Sequence, residues 1–159
     1  MFFIDKLIGR IRKLDNEDLE DAETVVAQLN QGKLEFNLPV DFLHFVALCG
    51  IFPPSRNIVK HWKKSEDVFL MLVKKEGKIG IDHFMQSLVL YFIRVYKEEL
   101  QKYAPTFMKK LVDENILKDK FIIDWSDKNI RLDKESLLYD KKAEKQFRDM
   151  IEQFVEWLK

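Results

Sequence analysis

Nucleophilic or metal chemistry in this chain would have to be built from Cys49 and the three histidines, His44, His61 and His83. Their spacing assembles neither. No HExxH motif is present, and no histidine stands at ligand spacing from another or from Cys49. Each histidine therefore reads as a packing or surface residue. Cys49 sits in the apolar run FLHFVALCGIF, which predicts a buried, unreactive thiol. Gly77 and Gly80 form a turn without the strand before it or the GK[ST] ending of a phosphate cradle. Carboxylates are abundant but define no catalytic pair, so nothing in these residues supports an enzyme, and neither cofactor nor metal is expected.

Charge patterning is more informative. From Leu14 to Asn30 the chain carries Asp15, Glu17, Asp18, Glu20, Asp21 and Glu23 with no Lys or Arg. Helix capping accounts for part of this set, and the rest reads as a solvated face. The stretch from Arg56 to Lys78 has the opposite bias, with Lys60, Lys63, Lys64, Lys74, Lys75 and Lys78. Lys60, Lys63 and Lys64 share a helical face, where like charges cost about a few tenths of a kcal/mol per pair. Such a patch serves solubility or an acidic partner. In the last helix Asp149, Glu152 and Glu156 make an acidic stripe beside Phe154 and Trp157. On pattern alone Trp157 belongs with the core.

The elements that position these residues are helical throughout. Composition is 47% hydrophobic and 34% charged, with only 5 Gly and 4 Pro, which favours a packed helical core over a turn-rich β fold. At 159 residues the chain fits one unit, taken here as residues 1–159. Phe3, Leu7, Ile11 and Leu14 form one stripe, widened by Ile4 and Ile8. Asp15 or Asn16 can cap a second helix with Leu19, Ala22, Val26 and Leu29 inward, ended by Asn30 and Gly32. Pro39 opens a third through about Gly50. Ser55 starts a fourth with Ile58, Val59 and Trp62, and Ser65 a fifth with Val68, Phe69, Leu72 and Val73, closed by the turn EGKIG. Asp82 then caps HFMQSLVLYFIRVY, too apolar for a surface helix and predicted to be central. Pro105 restarts a helix through Leu111, Ile116 to Trp125 form another, and a long amphipathic helix spans Glu135 to Trp157. Roughly eight or nine helices with short loops describe a bundle or a short α-solenoid.

Net charge is zero, so no global field draws the chain to nucleic acid or membrane. No secretory signal or membrane-length apolar run is present, and cytoplasm is the expected location.

The last third adds a resemblance. The run YFIRVYKEELQKYAPTFMKKLVDENILKDKFIIDWSDK, followed by a helix ending EQFVEWLK, resembles the two-tryptophan domain at the C-terminus of eukaryotic translation initiation factor five. LVDENILKDKFIIDW stands for that family's first aromatic-and-acidic box and FVEWLK for its second. The resemblance implies a short α-solenoid of HEAT-like helical hairpins that docks the lysine-rich tail of the factor-two beta subunit, the c subunit of factor three, and factor one. It assigns Asp113, Asp119 and Trp125 to the first box, and Glu156 and Trp157 to the second. Glu114, Asp124, Asp149 and Glu152 are acids close by that join the candidate partner-binding set. Val112 replaces an aromatic, while Asn115, Lys118 and Lys120 stand where the family often has acids. Regulatory mimics of factor five and the epsilon subunit of factor two-B carry related boxes and remain alternatives. A different class would be an RNA-binding domain using the Arg56 to Lys78 patch. Full-length factor five activates GTP hydrolysis through an N-terminal domain with an arginine and a zinc ribbon. This chain reads as a piece without that domain, so Arg10 and Arg12 are not arginine fingers. The docking expectation requires the box acids to face outward, free of the chain's own lysines.

Overall fold

Apolar residues at helical spacing fold here into nine α-helical segments among the described residues, with no strand. The structure, a computed structural model, describes residues 2–16, 21–53, 56–95, 101–127, 132–133 and 135–159. Helix α1 (Phe2–Asn16) is followed by α2 (Ala22–Phe36), α3 (Phe42–Ile51) and α4 (Ile58–Glu76). A 3-10 turn over Gly77–Ile79 leads into α5 (Gly80–Leu90), which widens into a π-helical turn at Tyr91–Val95. Then come α6 (Ala104–Asp113), α7 (Asp119–Ser126), α8 (Lys141–Met150) and α9 (Glu152–Leu158).

Helices two apart in sequence pack side by side. α1, α3 and α5 form one layer, α2, α4 and α6 the other, with α1 on α2 and α4 on α5 across the layers. That is the two-layer stacking of an α-solenoid, and the chain is an all-α, HEAT-like domain. α8 continues the packing on α5, and α9 lies on α7.

Two helices are central. α5 buries His83 through Val89 without interruption, as its all-round apolarity predicts. α3 is its equal, burying eight of its ten residues. Aromatic rings join the two halves of the chain through this core. Trp62 of α4 stacks on Phe69 at 4.9 Å and meets the edge of Phe107 of α6 at 5.1 Å. Phe92 touches Phe107 and Phe147 at 5.9 Å each, and Phe147 touches Trp125 at 6.0 Å.

Several helix boundaries differ from the sequence expectation. α1 runs through Asp15 and Asn16, so neither caps α2; Asp21 does, accepting from the Glu23 N–H at 2.9 Å. Leu19, Glu17, Asp18, Glu20 and Ser55 lie outside the described residues. α2 passes through Asn30 and Gly32 and ends at Asn37, whose φ of 53° supplies the left-handed cap. Gly32 is a contact rather than a stop: a Cβ there would lie 2.3 Å from Leu7 of α1. Pro39 stands in the turn before α3, its carbonyl accepting from the Phe42 N–H. The fourth and fifth expected helices are one. α4 contains neither Gly nor Pro, and its cap is Asn57, whose side chain accepts from Val59 and Lys60 N–H groups. Asp82 lies in the first turn of α5 rather than at its cap. The last helix starts only after Asp140, which caps Ala143 at 3.0 Å, and is stepped at Ile151.

Candidate functional site

The two tryptophans of the boxes have opposite fates. Trp125, at the end of α7, is fully buried. Its indole N–H donates to Glu144 at 3.2 Å, and the Arg148 guanidinium lies 4.5 Å from its ring centre. Arg148 also donates to the Trp125 carbonyl. Trp125 thus joins α7 to α8 and offers no ring to a partner, which corrects its place among the partner-binding residues. Its face of α7 is turned inward, and α8 covers it.

Trp157 is 65% exposed, against the core placement its spacing suggests. The inward stripe of α8 and α9 is filled by Phe147, Ile151, Phe154 and Val155, which leaves Trp157 at the rim, stacked on Phe154 at 5.9 Å. An ammonium already sits over this ring: Lys109 Nζ of α6 is 5.7 Å from its centre and 2.8 Å from Asp113. Lys109 therefore links Asp113 of the first box to Trp157 of the second. Glu156 is bonded to Lys159 at 3.1 Å, which also reaches Asp127 at 3.3 Å. These two carboxylates raise the Lys159 pKa, Glu156 through the larger effect.

The remaining acids divide. Glu152 stands one turn before Glu156 on α9, and Asp149 just before the step at Ile151. Both are exposed, and no ion pair engages either among the described residues. Glu114 turns the other way, towards α4. Its carboxyl faces Glu66, and the hydrogen bond between them, with burial second, holds the Glu114 pKa above its ordinary value. Asp119 occupies the exposed first turn of α7. Asp124 is half-buried in a separate groove. The structure thus brings Asp113 to Trp157 through Lys109, with Glu152 and Glu156 on the same helix as Trp157, and does not gather Glu114, Asp124 or Trp125 with them. Asp113 and Glu156 are engaged by the chain's own lysines, contrary to the expectation that the acids stand free. These pairs are solvent-exposed and close in sequence, a kind that adds little to stability, so an incoming cation can exchange with them.

The basic stretch is not one patch. Lys60, Lys63 and Lys64 lie in the first turns of α4, Lys74 and Lys75 in its last, and Lys78 on the following turn. At 1.5 Å rise per residue, Lys60 and Lys75 are about 22 Å apart along the helix axis. Lys63 is further engaged by Glu66 at 3.0 Å.

Sequence reasoning did not find the cluster His44–Glu76–His83–Asp133. His44 Nε2 lies 2.5 Å from one Glu76 oxygen, and His83 Nδ1 bonds the other. His83 Nε2 is 3.0 Å from Asp133, whose backbone carbonyl accepts from Gln86 at 2.7 Å. Beside it Ser136 bonds Asp41. Two carboxylates around one imidazole require both ring nitrogens to donate, so His83 is an imidazolium. Burial would lower its pKa, but the hydrogen bonds to Asp133 and Glu76 outweigh it and the value is raised. The bonds from His44 and His83 likewise outweigh burial and lower the Glu76 pKa. His44 and His83 are buried, whereas His61 is exposed. Cys49 is buried as expected, and desolvation pushes its thiol up to about 12. Among the described residues, no group of His, Cys, Asp and Glu is arranged to hold a metal ion. No helix among them is long and apolar enough to cross a membrane.

A helical stack whose last helix carries an exposed, cation-capped tryptophan beside acids has the make-up of a binding surface. Residues 83–159 match the family model described as W2: eIF4-gamma/eIF5/eIF2-epsilon. W2 domains are protein-interaction domains of translation initiation factors. Residues 1–82 lie outside the matched stretch. Comparison with curated proteins and comparison with solved structures each returned no match.

Proposed function

We propose that this domain is a non-catalytic docking module of translation initiation, and that its Trp157 surface receives a lysine-rich segment of a partner factor. The partner in view is the lysine-rich tail of the factor-two beta subunit, with factor three and factor one as further partners, as in factor five. Such docking would assemble the initiation complex and support start-codon-linked GTP hydrolysis on factor two. A regulatory mimic of factor five or the tail of factor two-B epsilon would use the same surface. One observation carries the reading: an exposed indole on the last helix already holds an ammonium, with Asp113 bonded to that ammonium and Glu156 adjacent in sequence. A lysine of a partner can replace Lys109 over the ring, and further lysines can reach the unengaged Asp149 and Glu152. RNA binding through the α4 lysines is the weaker reading, since those lysines are spread along the helix.

A pull-down with a lysine-block peptide tests the proposal. Glu152→Lys with Glu156→Lys should abolish retention, and Trp157→Ala should reduce it while leaving the fold intact. Retention unchanged in the double variant removes the second box from the site.

A further inference from the structure

A groove on another part of the surface has the opposite chemistry. It has a volume of about 630 Å³ and lies between the start of α5 and the turn joining α6 to α7. That size falls within the roughly 300–1,000 Å³ of specific ligand sites. Its floor is apolar, formed by Ile81, Ile116, Leu117 and Phe121. Asn115, with φ of 61°, ends α6 in a left-handed cap, and the Ile116 and Leu117 N–H groups both bond the Leu111 carbonyl. This fixes the floor before any ligand arrives. Lys78, Lys118 and Lys120 line the groove and are exposed. None of the three is ion-paired among the described residues, although Asp82 and Asp124 line the same groove. The three lysines come from two separate stretches of chain, and only the fold brings them together.

We propose that this groove is a second docking site, which takes a short acidic peptide segment anchored by an apolar side chain. The lysines receive the carboxylates, and the Ile81, Ile116 and Phe121 floor receives the anchor. Asp82 and Asp124 accept from the peptide's backbone N–H groups. Those two acids decide for a peptide over a nucleic acid, because a phosphodiester backbone is repelled by them and has no donor to offer. The largely aliphatic floor also lacks the succession of aromatic rings on which bases stack. The site is independent of the Trp157 surface, so one copy of the domain can hold a basic and an acidic segment at once.

Fluorescence anisotropy with a labelled acid-rich peptide carrying one central Phe tests this on the full chain at low salt. The peptide should bind, and replacing its Phe by Ser should weaken binding. Lys118→Glu with Lys120→Glu should raise Kd by about tenfold or more, ~1.4 kcal/mol. Both substitutions are on exposed side chains, and an unchanged thermal melt will establish that the variant is folded. Glu152→Lys with Glu156→Lys should leave this binding unaltered, which separates the outcome from that of the Trp157 surface. No binding of the acidic peptide, equal binding by the lysine-reversed variant, or an oligouridylate that binds in its place would each overturn the proposal.

Discussion

A buried imidazolium held between two carboxylates makes stability depend on pH in a direction that follows from its neighbours. His83 has a raised pKa, so its contribution is complete below about 6.5 and is lost as pH rises through the raised value. Glu76 and Asp133 have lowered pKa values, so theirs is complete above the ordinary carboxylate range and is lost as pH falls through the depressed values. All three contributions coexist between about pH 4.5 and 6.5. The groups facing His83 are Glu76 of α4, Asp133, and at longer range Asp41 before α3 and Asp82 on its own helix. Urea unfolding midpoints should therefore fall between pH 6 and pH 9. In His83→Gln that fall should shrink, because the group whose raised pKa drives it is gone. The variant will be less stable throughout, but the slope is the readout. Identical slopes in the two proteins would show that His83 does not carry the charge assigned to it.

At the scale of helices, close approach is set by missing side chains. α1 lies along α3 with Gly50 beneath it, and a Cβ at Gly50 would stand 2.8 Å from Ile11 Cβ and 3.2 Å from the Ile8 carbonyl. Backbone cannot yield as a flexible side chain can, so Gly50→Ala should destabilise by roughly 1–3 kcal/mol through overpacking, despite alanine's better helix propensity. A thermal melt that stayed the same or rose would mean that α1 is not pressed onto α3. Gly32 shows the same device, and it explains what was legible in the sequence. Which faces are apolar could be read from spacing alone, so Leu7, Ile11, Val26, Leu29, Trp62 and the stretch His83 to Val89 of α5 are inside as expected. Where helices stop could not. Gly32 looks like a terminator until Leu7 is seen to occupy its space, and Ser65 looks like a start until α4 is seen to bury it. The site was half legible for the same reason. The acids of α9 follow from local order, but Trp125 and Trp157 differ only in what packs over them. The His83 cluster draws its partners from 32, 7 and 50 positions away in the chain.

For the whole molecule, the question is whether the segment that matches the W2 model is a folding unit. The match starts at His83, inside α5, and leaves α1 to α4 outside. The physical unit does not divide there. α5 packs against α3 and α4, and Trp62 of α4 fits the edge of Phe107. The Tyr91 hydroxyl donates to the Phe52 carbonyl at 2.8 Å in the buried core, and His83 is bound to Glu76. Removing residues 1–82 would expose the buried stretch from His83 to Val89 and leave an imidazolium with only Asp133. An isolated piece spanning 83–159 should accordingly show no cooperative thermal transition, expose apolar surface to a dye such as ANS, and self-associate. Adding residues 1–82 as a separate chain should restore the transition if the two-layer stack is the folding unit. A sharp melt from 83–159 alone, with retained lysine-peptide binding, would instead make the C-terminal helices self-sufficient and reduce α1 to α4 to an appended layer. The docking surface on α9 would then owe nothing to the aromatic seam that runs from Trp62 through Phe107, Phe92 and Phe147 to Trp125.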